Sequence, residues 1–406
     1  MVVWINNPFD FLPGEGARLQ RYGLLARELV RAGHRVIWWS SDWLHLKKCR
    51  RPLPSSCSGI EKEQWLGHVE IKLIPTWPYY RNIGIRRFLS HWNYARSWEY
   101  AAIADQSQQI NFPAPDLILV SMPPLGLYAA AQKLSRRFGA RLIVDVQDVW
   151  PETFCTVFPG WMRASVKMAL YPLFKVARAA YQGADGVSVV APTYQSIVAR
   201  KDVRVFPLGI ELPAIDRSIN PDQTGILRIC YSGNLGNNYR LDVVLDAIQC
   251  LTAHNIRVEL HIAGDGPRRK MIEKNPLFGE NIQFHGLLGN SELVSLYKSC
   301  DCGIIPMICE TGVGWPNKLF DYAAYGLPVI NGLKGPTSEL IHRYEAGWMY
   351  DVDCAESLVN TVLDIQKQGQ KEIEQRGLKA RQMAEECFDA RVIYPRFVQW
   401  LEGEDS

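Results

Sequence analysis

The sequence lacks the marks of several large protein classes. No apolar run approaches the ~18 residues of a membrane-spanning helix, so we expect no integral membrane protein. The 10 cysteines include no Cys-x-x-Cys pair and no set with zinc-site spacing, which favours reduced thiols in a cytoplasmic chain. A net charge of +3 across 406 residues argues against a nucleic-acid partner. The chain does not open on a charged segment followed by an apolar core, so we expect no secretion.

Short β-branched segments alternate with helical patterns along most of the chain. Strands are predicted at 2–5, 36–39, 69–74, 117–120, 142–146, 187–190 and 203–206, and again at 227–231, 258–263, 282–284, 303–305 and 328–330. Between the two series, 209–225 holds two prolines, two glycines and no periodicity, which predicts a linker. We therefore predict an α/β fold of two doubly wound parallel-sheet domains, 1–208 and 226–386, with a C-terminal helix in 387–406 packing back on the first domain. Their ligand is expected in a cleft between the domains.

A glycine-rich turn follows the first predicted strand of the second domain and leads into a helix. In this segment, YSGNLGNNYR at 231–240, Gly233 and Gly236 let the backbone approach a ligand closely. The helix start adds unpaired N–H groups and a positive dipole end, and Arg240 adds a planar cation that suits phosphate. These features predict an anion site; the alternative is an ordinary βα turn with a surface arginine.

A second glycine-rich loop, at 312–315, also leads into a helix. Lys318 lies in the first turn of that helix, where the dipole favours acidic residues, so a nearby anion would account for it. Asp321 shares its helix face and would suit the ribose hydroxyls of a nucleotide. The alternative is a surface ion pair worth roughly a few tenths of a kcal/mol.

Together with four other motifs, these segments resemble the retaining glycosyltransferases of family 4. The motifs are PGEG (13–16), DVQDVWPE (145–152), YSGN with Arg240, HIAGDGP (261–267), FHG (284–286) and PNKLFDYAAYGLPVI (316–330). The resemblance implies the GT-B fold, in which two Rossmann-like domains face each other across a cleft. It also implies transfer of a hexosyl or N-acetylhexosaminyl group from a nucleotide-diphosphate sugar, such as a UDP sugar. The forms DVWPE and PNKLFDY resemble the subgroup that builds O-antigen, capsule or exopolysaccharide on a glycan or polyprenyl-diphosphate-linked acceptor.

The resemblance assigns donor-binding roles and also exposes departures from the family pattern. The expected donor-binding residues are Gly14, Glu15, Gly16, Gly233, Asn234, Arg240, Gly264, Gly312, Gly314, Lys318 and Asp321. Asn234 stands where the family usually has an arginine, and Arg240 stands where it has a lysine. Many members carry two glutamates seven residues apart; here the second falls on Asp321 and the first on Val313, with Glu310 nearby.

The expected catalytic residues are Asp148, Glu152, Arg240 and Lys318. Arg240 and Lys318 would stabilise the charge that grows on the leaving diphosphate. Neither phosphate-handling segment contains an Asp-x-Asp that would hold magnesium, so we expect no metal and no cofactor besides the nucleotide-sugar substrate. Asp148 and Glu152 would orient the acceptor or stabilise the sugar in the transition state, with capping of the following helix as the alternative for Asp148.

Two basic segments of the first domain predict contact with an anionic membrane surface. Residues 79–98 hold four arginines and no acid, and a predicted helix at 161–182 carries a basic stripe beside an apolar one. The basic residues are Arg81, Arg86, Arg87 and Arg96 in the first segment, and Arg163, Lys167, Lys175 and Arg178 in the second. We therefore expect a cytoplasmic protein that is peripheral on the inner face of the membrane; the alternative is an ordinary helix with a solvated basic face.

Two other functions fit the same architecture. A nucleotide-sugar epimerase would need acids and bases around the sugar instead of an acceptor site. A catalytically silent scaffold is suggested by Val313 and Asn234, which stand where the family has functional side chains. A nicotinamide dehydrogenase fits less well, because no Gly-x-Gly-x-x-Gly follows the first strand.

Overall fold

The structure is a computed structural model that describes residues 1–15, 18–51, 68–82, 84–108, 113–156, 158–214, 225–308 and 314–404. The chain divides into two compact units. Unit 1 comprises Met1–Gly209 and Arg391–Ser406, and unit 2 comprises Ile210–Ala390. No helix among the described residues combines the length and apolarity needed to cross a bilayer.

Unit 1 is built on a seven-stranded parallel sheet with the order β5-β2-β1-β6-β7-β8-β9. Its strands are β1 Val2–Asn6, β2 Arg35–Ser41, β5 Val69–Ile74, β6 Leu117–Met122, β7 Arg141–Val146, β8 Gly186–Val189 and β9 Arg204–Val205, with a small antiparallel pair, β3 Trp43–Leu44 and β4 Cys49–Arg50. Its helices are α1 Arg21–Arg31, α2 Ile85–Gln108, α3 Leu127–Phe138, α4 Glu152–Thr156, α5 Arg163–Ala169, α6 Tyr171–Gly183 and α7 Thr193–Val198. All six residues of β6 are buried, because helices cover both faces of a parallel sheet.

The single helix predicted at 161–182 is wrong. The structure has a short 3-10 helix, Gly160–Met162, followed by α5 and α6. The break falls at Leu170, two residues before Pro172. Proline has no N–H to donate and is tolerated only in the first turn of a helix, so a new helix starts there.

Unit 2 is built on a six-stranded parallel sheet with the order β12-β11-β10-β13-β14-β15. Its strands are β10 Leu227–Ser232, β11 Val258–Ala263, β12 Ile282–Gly286, β13 Cys302–Ile305, β14 Val329–Asn331 and β15 Gly347–Met349. Its helices are α8 Leu241–Ala253, α9 Arg269–Glu273, α10 Asn290–Ser299, α11 Asn317–Ala324, α12 Pro336–Tyr344, α13 Ala355–Gln368 and α14 Gln370–Cys387. The strand order reverses between β10 and β13, so the loops after these two strands flank the crevice where doubly wound sheets bind ligands.

The prediction of two parallel-sheet α/β domains is confirmed. The last helix, α15 Ala390–Glu402, belongs almost entirely to unit 1 and packs against the rest of that unit. Its Phe397 ring stacks on Phe206 with the centroids 4.4 Å apart, and its Glu402 carboxylate lies 2.8 Å from the His34 ring. In the linker region predicted at 209–225, residues 215–224 lie outside the described part of the chain.

Candidate functional site

The first glycine-rich segment of unit 2 and the start of α11 meet where the strand order reverses. The glycine-rich segment follows β10, and α11 is the helix that follows β13 in the chain. Lys318, in the first turn of α11, places its Nζ 4.6 Å from the ring centre of Tyr231 and 4.4 Å from that of Tyr239. A Cβ atom added to Gly233 would lie 2.5 Å from the same Nζ. Glycine at position 233 therefore leaves the space that the Lys318 ammonium group occupies.

Lys318 is a buried cation with aromatic neighbours. The residue is 7% exposed, and within the described ranges no carboxylate oxygen lies at ion-pair distance from its Nζ. Burial lowers the pKa of Lys318 to about 8, and Asp321 offsets part of that change. Cation–π attraction to two tyrosine rings stabilises the charge, although less than a carboxylate partner would. The ammonium group is thus available to an anion.

Arg240 has two carboxylate partners, which its position in the sequence did not predict. Its Nε donates to an Asp242 oxygen at 3.0 Å, and its guanidinium also pairs with Asp353. Arg268 donates to Asp242 as well, at 2.8 Å. The bonds to Asp242 raise the pKa of Arg240. In this structure, carboxylates already compensate the charge that was predicted to hold a diphosphate.

Asp353 belongs to an Asp-x-Asp sequence, Asp351-Val352-Asp353, that lies outside both glycine-rich segments. The Asp351 side chain accepts from the backbone N–H of Asp353 at 3.2 Å. Since Asp353 in turn pairs with Arg240, both carboxylates have protein partners.

Gly264 and Gly266 have a packing reason to be glycine. Both follow β11 with positive φ, +144° and +154°. A Cβ at Gly264 would overlap the carbonyl oxygen of Gly233, and one at Gly266 would lie 2.7 Å from the side-chain oxygen of Asn234. The loops after β10 and β11 therefore pack backbone to backbone, and Asn234 is held beside this contact.

The remaining residues of the second segment are only partly described. The carbonyl oxygen of Gly314 accepts from the Thr337 hydroxyl at 2.6 Å, which ties the loop to α12. Asp321 is half-buried one turn after Lys318. Glu310, Gly312 and Val313 lie outside the described residues.

In unit 1, the predicted donor loop is held by its own contacts. Gly14 has a φ of +88°, and the Glu15 carboxylate accepts from the Leu12 N–H at 2.7 Å. The same carboxylate pairs with the buried guanidinium of Arg51. Glu15 thus stabilises the loop. Gly16 lies outside the described part of the chain.

Asp148 and Glu152 flank the start of α4. One Asp148 oxygen accepts from the Trp150 indole N–H at 2.8 Å, and the other accepts from the Thr153 hydroxyl at 2.9 Å. Burial raises the pKa of both acids. Asp148 therefore holds the turn into α4, whereas Glu152 has a buried carboxylate oxygen with no hydrogen-bond partner among the described residues.

The sequence singled out the basic segment 79–98 but did not predict the basic–aromatic cluster that this segment forms with other residues of unit 1. We define it by its members His45, Lys48, Tyr79, Arg87 and His91. These residues come from three separate stretches of the chain, so no local spacing pointed to the set. The local signals were the arginine- and aromatic-rich segment 79–98, which holds Tyr79, Arg87 and His91, and the four-residue separation of Arg87 and His91 on α2.

Two family models match the chain. Residues 19–209 match a model described as "Glycosyl transferase 4-like domain", and residues 227–368 match one described as "Glycosyl transferases group 1". A sequence comparison with curated proteins found no match.

Solved structures share the fold over nearly the whole chain. Sucrose-phosphate synthase from Thermosynechococcus elongatus is 15% identical with a TM-score of 0.71, covering 99% of this chain and 98% of that one. Anabaena HepE, solved with UDP and glucose, is 14% identical with a TM-score of 0.65, covering 99% and 100%. The lipopolysaccharide outer core galactosyltransferase WaaB is 14% identical with a TM-score of 0.59, covering 100% of both chains. At these identities the likeness shows a common fold.

Proposed function

The chain belongs to the glycosyltransferases of the GT-B type, and we propose that it moves a hexosyl or N-acetylhexosaminyl group from a nucleotide-diphosphate sugar with retention. The acceptor that we propose is a glycan or a polyprenyl-diphosphate-linked sugar, in the synthesis of a cell-surface polysaccharide. Two observations support this: the motifs at 145–152 and 316–330, and the fold shared with a lipopolysaccharide galactosyltransferase. The bound UDP of Anabaena HepE makes a UDP sugar the first donor to test.

The observation that carries the proposal is the buried Lys318 ammonium beside Gly233. When the bond from the sugar to the diphosphate breaks, negative charge grows on the leaving oxygen. A cation that is already in place, in a site with little water, stabilises that charge without reorganisation. We therefore propose that Lys318 does this without a metal, and that Asp321 contacts the ribose.

The acceptor side of the proposal rests on Glu152. Its unpartnered oxygen and raised pKa suit a group that accepts a hydrogen bond from an acceptor hydroxyl. Asp148, with both oxygens engaged, positions the turn that carries Glu152.

The reaction is tested by incubating the protein with a panel of nucleotide-diphosphate sugars, with and without acceptor. Proton NMR of the product's anomeric signal distinguishes retention from inversion. Conversion of a donor in the absence of acceptor would instead support the epimerase, and neither binding nor conversion of any donor would support a silent scaffold.

Donor affinity should fall as the pH rises from 7 to 9. Lys318 loses its proton near pH 8, whereas the diphosphate keeps its two negative charges throughout that range. Tyr231 and Tyr239, which face the ammonium group, have raised pKa values and stay neutral. Calorimetric titration with UDP-glucose should show about a tenfold weaker affinity at pH 9 than at pH 7. Lys318→Met should bind more weakly with no such slope, and equal wild-type affinities at the two pH values would contradict the proposal.

We also propose peripheral attachment to the inner face of the cytoplasmic membrane through residues 158–180. This segment exposes large apolar side chains, among them Trp161 at 82%, Met168 at 77% and Tyr171 at 57%. It carries four basic residues and no acid. Apolar groups that enter the interface, with cations beside them, match an anionic bilayer.

Removing two of these cations should weaken membrane binding by ~10–30-fold, at ~1 kcal/mol per basic residue near the surface. The test is flotation of Lys167→Ala/Lys175→Ala protein with vesicles that contain anionic phosphatidylglycerol, at low salt. Arg136→Ala/Arg137→Ala on α3 is the matched control, because it removes the same charge from another exposed helix. Equal recovery of wild type with neutral and anionic vesicles would reject the membrane proposal.

A further inference from the structure

The basic–aromatic cluster of unit 1 holds two cations against one tyrosine ring. Lys48 Nζ lies 4.9 Å from the ring centre of Tyr79, and the Arg87 guanidinium lies 5.9 Å from it. Lys48 follows β3, Tyr79 follows β5, and Arg87 lies in the first turn of α2. The fold therefore brings together these two cations and the tyrosine ring from three segments beside the sheet.

Hydrogen bonds show that the two histidines of the cluster are neutral. Lys48 Nζ lies 3.1 Å from His45 Nδ1, and an ammonium group can only donate, so this nitrogen accepts; the Tyr79 hydroxyl lies 2.6 Å from the same nitrogen. His91 Nε2 accepts from Arg87 Nε at 3.3 Å. A ring nitrogen that accepts from a cation cannot carry a proton itself, so each imidazole presents its N–H on the other nitrogen. Burial also lowers the pKa of His45, to about 3, and that of His91.

The two cations have no carboxylate at ion-pair distance within the described part of the chain. Lys48 instead donates to the Asn82 side chain at 2.7 Å, and Arg87 donates to the Asn82 carbonyl at 2.6 Å. Asp148 attracts Arg87 from a distance, but both of its oxygens are engaged elsewhere. Burial lowers the pKa of Lys48 to about 8, in the direction expected for a cation without a partner.

The Arg87 guanidinium is also fixed in place. It lies 4.6 Å from the ring centre of Trp150, and the ring of His91 stacks on the same indole at 5.6 Å. A planar fork held on an aromatic face is suited to bind a phosphate group through two parallel hydrogen bonds. An ordinary surface arginine loses side-chain entropy when it binds a phosphate group. Packing against Trp150 already orders the Arg87 side chain, so less entropy is lost on binding.

We propose that Lys48 and Arg87, with the neutral His45 and His91 beside them, bind a diphosphate group of the acceptor. This rests on the proposed function, since the acceptor is a substrate of that reaction. It assigns a polyprenyl-diphosphate-linked sugar, rather than an uncharged glycan, as the acceptor class. The donor diphosphate has its own cation in unit 2, Lys318, so the two diphosphates are expected to use separate sites.

The test uses the full-length Lys318→Met protein, in which the donor site is weakened. Inorganic pyrophosphate and farnesyl diphosphate are each titrated by calorimetry. Both should bind, and adding Arg87→Gln should weaken each by ~10–100-fold, the usual effect of losing a charge-assisted hydrogen bond. Arg86→Gln is the matched control, because Arg86 is the exposed neighbour on the same helix, and it should leave both affinities unchanged.

Two outcomes would overturn the proposal, and a third tests the donor site. Unchanged pyrophosphate affinity in Arg87→Gln would overturn it; if that variant fails to fold, Lys48→Met gives the same decision from a half-exposed position. If Arg87→Gln weakens UDP binding to protein with an intact Lys318 while farnesyl diphosphate does not bind, the cluster serves the donor and the acceptor proposal is overturned. Failure of the proposed donor site shows separately, as a UDP affinity that Lys318→Met leaves unchanged.

Discussion

Lys318→Met should slow sugar transfer by ~100–1,000-fold, the usual effect of removing one charge-stabilising group from a transition state. Methionine keeps most of the buried hydrocarbon between the two tyrosine rings and removes only the charge. Single-turnover kinetics with a UDP sugar measures the effect. Near-normal turnover in this variant would exclude Lys318 from the leaving-group site.

The same substitution should stabilise the ligand-free protein by about 1–3 kcal/mol at pH 7, because a buried ammonium without a carboxylate partner is costly. The pKa of Lys318 is about 8 in the folded chain, below the ordinary lysine pKa of 10.5. The buried charge therefore destabilises the fold in full below pH 8, where Lys318 is protonated in both the folded and the unfolded state, and progressively less as the pH rises to 10.5. The gain in stability of Lys318→Met should shrink over that range. A loss of stability at pH 7 would show that the charge is structural.

Arg240→Ala is the comparison for this site. Asp242 and Asp353 already balance the charge of Arg240. We therefore expect Arg240→Ala to slow sugar transfer by no more than about tenfold, which corresponds to ~1.4 kcal/mol in the activation free energy. A loss as large as that of Lys318→Met would mean that the carboxylates release Arg240 to the diphosphate when the donor binds.

Gly264→Ala should lower the free energy of unfolding by about 3–5 kcal/mol. Two costs combine: a side chain at φ +144°, and a Cβ that overlaps the carbonyl oxygen of Gly233. The backbone cannot yield easily, because the Gly264 N–H is bound to the Gly286 carbonyl at 2.6 Å. Chemical denaturation followed by circular dichroism measures the loss.

Gly279→Ala is the matched control for Gly264→Ala. Gly279 also has a positive φ, +84°, but its Cβ would meet nothing within 4 Å. Gly279→Ala should therefore lower the free energy of unfolding by only about 1 kcal/mol, through backbone strain alone. If the two variants were equally stable, the contact between the loops after β10 and β11 would not explain the glycine at 264, and close approach of a ligand would become the better reason.

Local patterns were enough to predict the main elements of both sheets. The strand predicted at 69–74 coincides with β5 and the one at 258–263 with β11, because apolar and polar residues alternate in both with the period of two that is typical of a strand. The short strands β3, β4 and β15 were missed, since two or three residues show no periodicity. The helix at 161–182 was wrong because its apolar spacing outweighed Pro172.

The sequence by itself determined the two parallel-sheet units and the two glycine-rich segments that lead into helices. These depend on backbone freedom and on periodicity, which are properties of neighbouring residues. Only the tertiary structure decided which cation is free of carboxylates. Arg240 meets Asp353, which is 113 residues away in the chain, whereas Lys318 is buried against Tyr231 and Tyr239. Charge compensation depends on distance in space, and no spacing along the chain reports it.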